Sequence, residues 1–293
     1  MATVRDIKRR IKSVGSIKQI TRAMKMVAAA KLRRSQERML AMRPYTGELE
    51  RLLMLTLPAI EPLEHPLLVQ EEKPVRIGAL VISSDRGLCG GFNSNLVRRF
   101  GAFLREHKGR EISVIAVGKK IARYARRSAK VLDSYAGIFD ELSYTMANKM
   151  AERLNRRFVD GDLQEVYLVY NRFKSLMTQE LVVRKLLPLD LLYLKSLIPP
   201  DKRPDDSSAF EMEPGVKAFA NVLLPRYLST MIFQALLESY ASELAARMTA
   251  MENATRNAED MISSLNLSFN KERQAAITRE ITEIVGGTEA LKG

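Results

Sequence analysis

Tryptophan is absent from this chain of 293 residues, cysteine occurs once and histidine twice. The lone Cys89 excludes an internal disulfide and a dithiol switch. His65 and His107 offer no metal-ligand spacing. No stretch approaches the roughly eighteen consecutive apolar residues that a membrane span requires. Helical periodicity starts right behind Met1, so a signal or transit peptide is not expected either. Without a secretory signal, the glycosylation-like triplets at Asn253 and Asn266 carry no weight. Aromatic residues make up 6% of the chain and none precedes Tyr45.

Glycine and proline are also missing from one long stretch, Arg226 to Val285. Helix formers over that length, at about 1.5 Å per residue, would make a rod of roughly 90 Å, longer than any single compact domain. Leu244, Met248, Met251, Thr255, Ala258, Ile262, Leu265 and Phe269 alternate in steps of four and three, the a/d pattern of a left-handed coiled coil, so the rod needs a partner helix. Pro225 is placed to open it as a first-turn residue, and Gly286-Gly287 to stop it.

The expected partner is residues 3 to 57. Val4, Ile7, Ile11 and Val14 form one seam. Ile17, Ile20, Met24 and Val27 continue it after a step of three where four is due, a stammer that would locally overwind the pair. Ala28, Leu32, Met39, Met42, Leu49 and Leu53 carry it on. Gly15 costs this helix about 1 kcal/mol relative to alanine, and Pro44 is expected to kink or end its straight part. The small side chains of Ala28, Ala29 and Ala30 would let two backbones approach closely.

Between the arms the pattern changes. After Pro58, Pro62 and Pro66, short apolar runs alternate with helical ones. Strands are expected at 75–82, 112–117, 131–135, 165–170 and 180–187, and helices at 92–107, 119–127 and 143–159. The last two strands read as a hairpin across Asn171–Thr178, giving an antiparallel edge. The fold class is therefore α/β: a Rossmann-like domain at 74–197 inserted into a long antiparallel two-helix coiled coil. The arms span 1–57 and 225–287, with connectors at 58–73 and 198–224 and a tail at 288–293.

The formal net charge is +13, which calls for an acidic partner. From Thr3 to Arg43 there are thirteen basic residues against Asp6 and Glu37. Phosphate neutralisation needs only Lys and Arg, so duplex binding by this arm is one reading. The missing aromatics argue against a single-strand platform. The most enzyme-like segment is the glycine-rich turn Ser83–Asn93, after a strand and before a helix, where α/β folds bind phosphate. Neither G-x-G-x-x-G nor G-x-x-x-x-G-K-[ST] is present, and a tight turn is the plainer account. Cys89 near a helix start has no histidine beside it in sequence and reads as an inert thiol. The paired carboxylates Glu71-Glu72, Asp205-Asp206 and Glu259-Asp260 fall in connectors or on rod faces. The arm methionines Met24, Met39, Met42, Met231, Met248, Met251 and Met261 suit packing that must adapt to changing surfaces. No constellation of catalytic residues emerges.

Three stretches carry a resemblance. Ile17–Arg34 reads IKQITRAMKMVAAAKLRR, Ala246–Thr255 reads ARMTAMENAT, and Asn270–Ile284 reads NKERQAAITREITEI. Together with the Ser84–Asn93 turn, and in order and length over the whole chain, they resemble the γ subunits of F-type ATP synthases of the bacterial type. The resemblance implies a central shaft without a catalytic site or cofactor of its own. Such a shaft couples ion-driven rotation of a c ring to ATP synthesis or hydrolysis on β subunits. It implies α, β, δ and ε subunits and the c ring as partners, no nucleic acid, and a peripheral place on the cytoplasmic side of the cell membrane. By motif position, Met24 and Lys25 would face β, and Arg273, Gln274, Thr278 and Glu280 would contact the α/β ring. Phe210 and Glu213 would touch the c ring; Met212 departs from the family's aromatic there. The extra segment that carries regulatory cysteines in chloroplast relatives is missing, against thiol control.

Overall fold

The computed structural model describes residues 3–60, 65–190, 213 and 215–290. Helix α1 runs Val4–Ile60, followed by β1 Arg76–Ile82, α2 Phe92–Glu106, β2 Glu111–Val117, α3 Lys119–Ser128 and β3 Lys130–Tyr135. Then come α4 Tyr144–Val159, β4 Glu165–Phe173, β5 Gln179–Leu187 and a last helix, α5, Val216–Ala290. The chain forms two compact units: Met1–Ala29 with Arg247–Gly293, and Ala30–Ala246.

In the larger unit the sheet order is β3-β2-β1-β4-β5. The first four strands pair in parallel, and β5 closes the edge antiparallel to β4. Strand β1, Arg-Ile-Gly-Ala-Leu-Val-Ile, is buried from Ile77 to Ile82 because helices cover both its faces. Ile77, Ala79 and Val81 join Leu96, Phe100 and Phe103 of α2 and Ile121 and Ala125 of α3 in one core. Leu80 and Ile82 belong to the other core, with Met150 and Leu154 of α4, Leu53 and Ile60 of α1, and Leu224, Tyr227 and Leu228 of α5. The inserted α/β domain thus uses parts of both arms as the helical cover of one sheet face.

Three punctuation marks do not bound the helices. α1 runs through Pro44 to Ile60, and α5 opens at Val216, nine residues before Pro225, and continues through Gly286-Gly287. An interior proline costs about 3 kcal/mol. Leu223, Leu224, Tyr227 and Leu228 around Pro225 are each no more than 4% exposed. Burying such side chains contributes about 1.5–3 kcal/mol apiece, which outweighs one missing N–H. The same holds after Pro44, where Leu49, Leu53 and Leu57 are buried.

Candidate functional site

The smaller unit brings the N-terminal stretch of α1 against the C-terminal stretch of α5. Thr255 Oγ1 donates to Thr21 Oγ1 at 2.8 Å. Lys18 Nζ lies 3.0 Å from Glu259 Oε1, and Lys25 Nζ 3.2 Å from Glu252 Oε1. As the α1 number rises the α5 number falls, so the pairing is antiparallel. On α5 the expected seam faces inward: Met251 and Ala258 are buried, and Met248, Thr255, Ile262, Leu265 and Phe269 are half-buried.

On α1 the seam differs from the expectation. Continuing the alternation of three and four from Val4, Ile7, Ile11 and Val14 without a break leads to Lys18, Thr21, Lys25 and Ala28. These residues are turned inward, Thr21 and Ala28 being buried and the two lysines half-buried. Ile17, Ile20 and Val27, assigned to the seam on apolarity, are 50%, 59% and 57% exposed. No stammer is needed: an unbroken heptad keeps the supercoil uniform, and ion pairing lets lysines occupy seam positions. The signal for Lys18, Thr21 and Lys25 was the spacing, overridden in the sequence reading by residue type.

Carrying the register forward sets Ile7 level with Phe269 and Val4 level with Glu272. α5 then continues past the first residue of α1. On that extension Ile277, Ile281, Ile284 and Val285 are 46%, 56%, 70% and 54% exposed. Arg273, Gln274, Thr278 and Glu280 are exposed among them. Thr278 Oγ1 donates back to Gln274 O at 2.9 Å, which leaves its lone pairs outward. The extension presents apolar and polar groups together, the composition of a surface that another chain covers.

The contact residues named from the sequence fall in two places. Met24 is half-buried, and Lys25 is held by Glu252. Twenty-one helical residues, roughly 30 Å, separate Glu252 from Arg273, so the N-terminal pair and the C-terminal four belong to different levels of the helix. Glu213 is exposed, in the larger unit. Phe210 and Met212 lie outside the described residues.

The glycine-rich turn is closed by its own side chains. Asp85 accepts the backbone N–H of Lys119 at 2.9 Å and of Gly137 at 2.8 Å, so a carboxylate of the protein sits at the N-terminus of α3. Asn93 Nδ2 donates to Ser84 Oγ at 2.8 Å, and Ser84 Oγ donates to Arg86 O at 2.7 Å. Cys89 is buried, with Asn93 Nδ2 3.1 Å from its Sγ. Gly118 at φ +91° is required there, since a Cβ would stand 2.3 Å from Ser83 O. These contacts favour the tight-turn account over phosphate binding.

A cavity of about 370 Å³ in the larger unit is lined by Met42, Arg43, Glu50, Arg172, Gln234 and Glu238, among others. Burial pushes the Glu238 carboxyl up, against a hydrogen bond from Gln234 and the charges of Arg172 and Arg43. Burial also raises Glu50, opposed by Arg184. Each acid has an arginine nearby, which makes the cavity a balanced charge cluster. Among the described residues no helix is long and apolar enough to cross a membrane.

A family model described as ATP synthase matches residues 3–291. The chain is 44% identical over 294 residues to an ATP synthase gamma chain of Pelotomaculum thermopropionicum, covering all of both chains. It is 45% identical over 293 residues to that of Moorella thermoacetica, again covering all of both. Among solved structures, a chain from the central stalk and c ring of Tetrahymena thermophila mitochondrial ATP synthase matches with TM-score 0.62 and 28% identity. That match covers 80% of this chain and 99% of the other. A chain from Euglena gracilis mitochondrial ATP synthase shares the fold, with TM-score 0.66 at 21% identity over 98% and 94% of the two chains.

Proposed function

From the premise that this chain belongs to the ATP synthase gamma-chain family, we propose how its surface does the work of a central shaft. The protein is a non-catalytic subunit, the rotary shaft that couples ion-driven turning of the c ring to ATP synthesis or hydrolysis on the β subunits. The nucleic-acid reading rested on the basic arm alone and gives way to this one.

The division of labour we infer follows the two helix levels. Met24 and Lys25 form one contact with the α/β ring. Arg273, Gln274, Thr278 and Glu280, with the apolar residues between them, form a second, closer to the end of α5. Charge-assisted hydrogen bonds of exposed side chains suit contacts that are made and broken in each turn, because neither state leaves a buried charge unpaired. Phe210 and Glu213 face the c ring, δ and ε complete the set of partners, and the assembly sits peripherally on the cytoplasmic side of the membrane. The exposed alternation of Arg273, Ile277, Glu280 and Ile284 along one side of α5 is the observation that carries this assignment.

Replacing Arg273 and Gln274 together by alanine tests it. Turnover of the assembled enzyme is expected to fall while the helical content of the isolated chain stays the same. An unchanged rate removes both residues from the contact.

A further inference from the structure

The seam of the smaller unit holds its polar residues where apolar ones are expected. Lys18, Thr21 and Lys25 occupy three consecutive seam positions of α1, while Ile17 and Ile20, one position away, and Val27, two positions from Lys25, are outside. Each inward polar group meets a matched partner on α5: Glu259, Thr255 and Glu252, at 3.0, 2.8 and 3.2 Å. Polar groups at such positions lower the stability of a coiled coil, and their best-attested use is to choose one register among several.

A choice is needed here. On the far side of the polar layers, the same register sets Ile7, Ile11 and Val14 level with Phe269, Leu265 and Ile262. All of these are apolar, and a heptad slide in one direction still sets apolar on apolar, with Val4 on Leu265, Ile7 on Ile262 and Ile11 on Ala258, whereas the other direction sets Ile11 on Glu272. The polar layers respond differently. A seven-residue slide in one direction sets Lys18 against Glu252, and in the other sets Lys25 against Glu259. Either slide keeps one ion pair, loses the other together with the threonine bond, and leaves a lysine in the seam with no acid opposite. The apolar spacing of Ile17, Ile20, Met24 and Val27 offers a further competing seam, reached by rotating α1, which these contacts also oppose.

We propose that Lys18, Thr21 and Lys25 with Thr255, Glu252 and Glu259 form a register lock that fixes the stagger of the two helices. The lysines are 35% and 38% exposed and their acids 49% and 40%. Each ion pair is therefore modest on its own, and the discrimination comes from satisfying all three layers at once. Lys25 is shared with the proposed ring contact, so the test reads helix register directly in the chain by itself, where no ring is present.

In full-length chain carrying Cys89→Ser, two in-register cysteine pairs are built, Ile7→Cys with Phe269→Cys and Val14→Cys with Ile262→Cys. Two heptad-shifted pairs serve as comparison, Val14→Cys with Phe269→Cys and Ile7→Cys with Ile262→Cys. With the natural seam, the in-register pairs are expected to close under mild oxidation at least about tenfold faster than the shifted ones. In the Lys18→Leu/Lys25→Leu background that preference is expected to drop to about threefold or less. In the Lys18→Glu/Lys25→Glu background it also falls, and adding Glu252→Lys and Glu259→Lys restores it, a rescue that a purely space-filling role would not give. The proposal is overturned if the leucine variant keeps the full preference, or if the charge exchange fails to restore it while helicity is intact.

Discussion

Replacing Ile281 and Ile284 by serine strips two apolar side chains from the part of α5 that extends past α1. In the chain by itself little changes, because the two residues are 56% and 70% exposed and substitutions at such sites stay within about 0.5 kcal/mol. In the assembled enzyme the consequence is larger. Fully burying an isoleucine is worth about 1.5–3 kcal/mol, and more than half of that remains available at each position, about 1 kcal/mol or more. The entropic cost of association is common to both proteins and cancels in the difference. The double variant is therefore expected to bind a ring of α and β subunits about 2 kcal/mol more weakly, roughly thirtyfold in dissociation constant. Titration of the ring with labelled chain reads the affinity, and circular dichroism checks that the helices persist. A loss below about threefold with helicity unchanged would mean that this surface is not buried against the ring.

Asp85→Ala removes the acceptor of two backbone N–H groups at the start of α3 and before the turn at Ile138. Urea unfolding is expected to show a loss of about 1–3 kcal/mol, with Asp85→Asn intermediate. Glu238→Gln is expected to change the pH dependence of stability. Burial raises the folded carboxyl above its ordinary value of 4.5, so from there upward the folded state holds a proton that the unfolded state has lost. Stability then falls as pH rises through the folded value. Melting temperatures from pH 4.5 to 8 should decline more in the parent than in the glutamine variant, and parallel curves would contradict the assignment. Ile262→Pro breaks the apolar seam of the smaller unit at a cost of about 3 kcal/mol and should abolish ATP-driven ion pumping; normal pumping would contradict the reading of a stiff shaft.

Much of the larger unit could be read directly from the chain. Its strands are short apolar runs bounded by glycine or charge, α2 and α3 begin right after Gly91 and Gly118, and α4 begins where Ser143 caps it, its Oγ accepting the N–H of Met146. The reading failed where local signals met tertiary burial. Pro225 looks like a helix start because proline suits a first turn, yet the turn before it buries Ala220, Leu223 and Leu224. Residue type misled at Ile17, Ile20 and Val27, because apolarity is a good guide to the inside only for a chain that works alone. Met24, Lys25, Arg273, Gln274, Thr278 and Glu280 came from resemblance to a family. Nothing in periodicity or composition distinguishes an exposed glutamine that touches a partner from one that touches water.

Two departures from ordinary soluble patterning therefore point the same way. The smaller unit keeps lysines and threonines between its helices and leaves five isoleucines and two valines outside, on α1 at residues 17, 20 and 27 and on α5 at 277, 281, 284 and 285. A monomer gains no stability from that inversion, since exchanging the two sets on α1 would bury more apolar surface. A shaft gains twice. The inward polar layers define one pairing of its helices, and the outward apolar groups give its partners something to bury. On that logic, moving the apolar set inward by Lys18→Ile and Lys25→Ile with Ile17→Lys and Ile20→Lys should raise the melting temperature of the isolated chain and weaken its assembly into the enzyme. If the exchanged chain gained stability and assembled as well as before, the outer residues would be free of any partner and the inversion would need another cause.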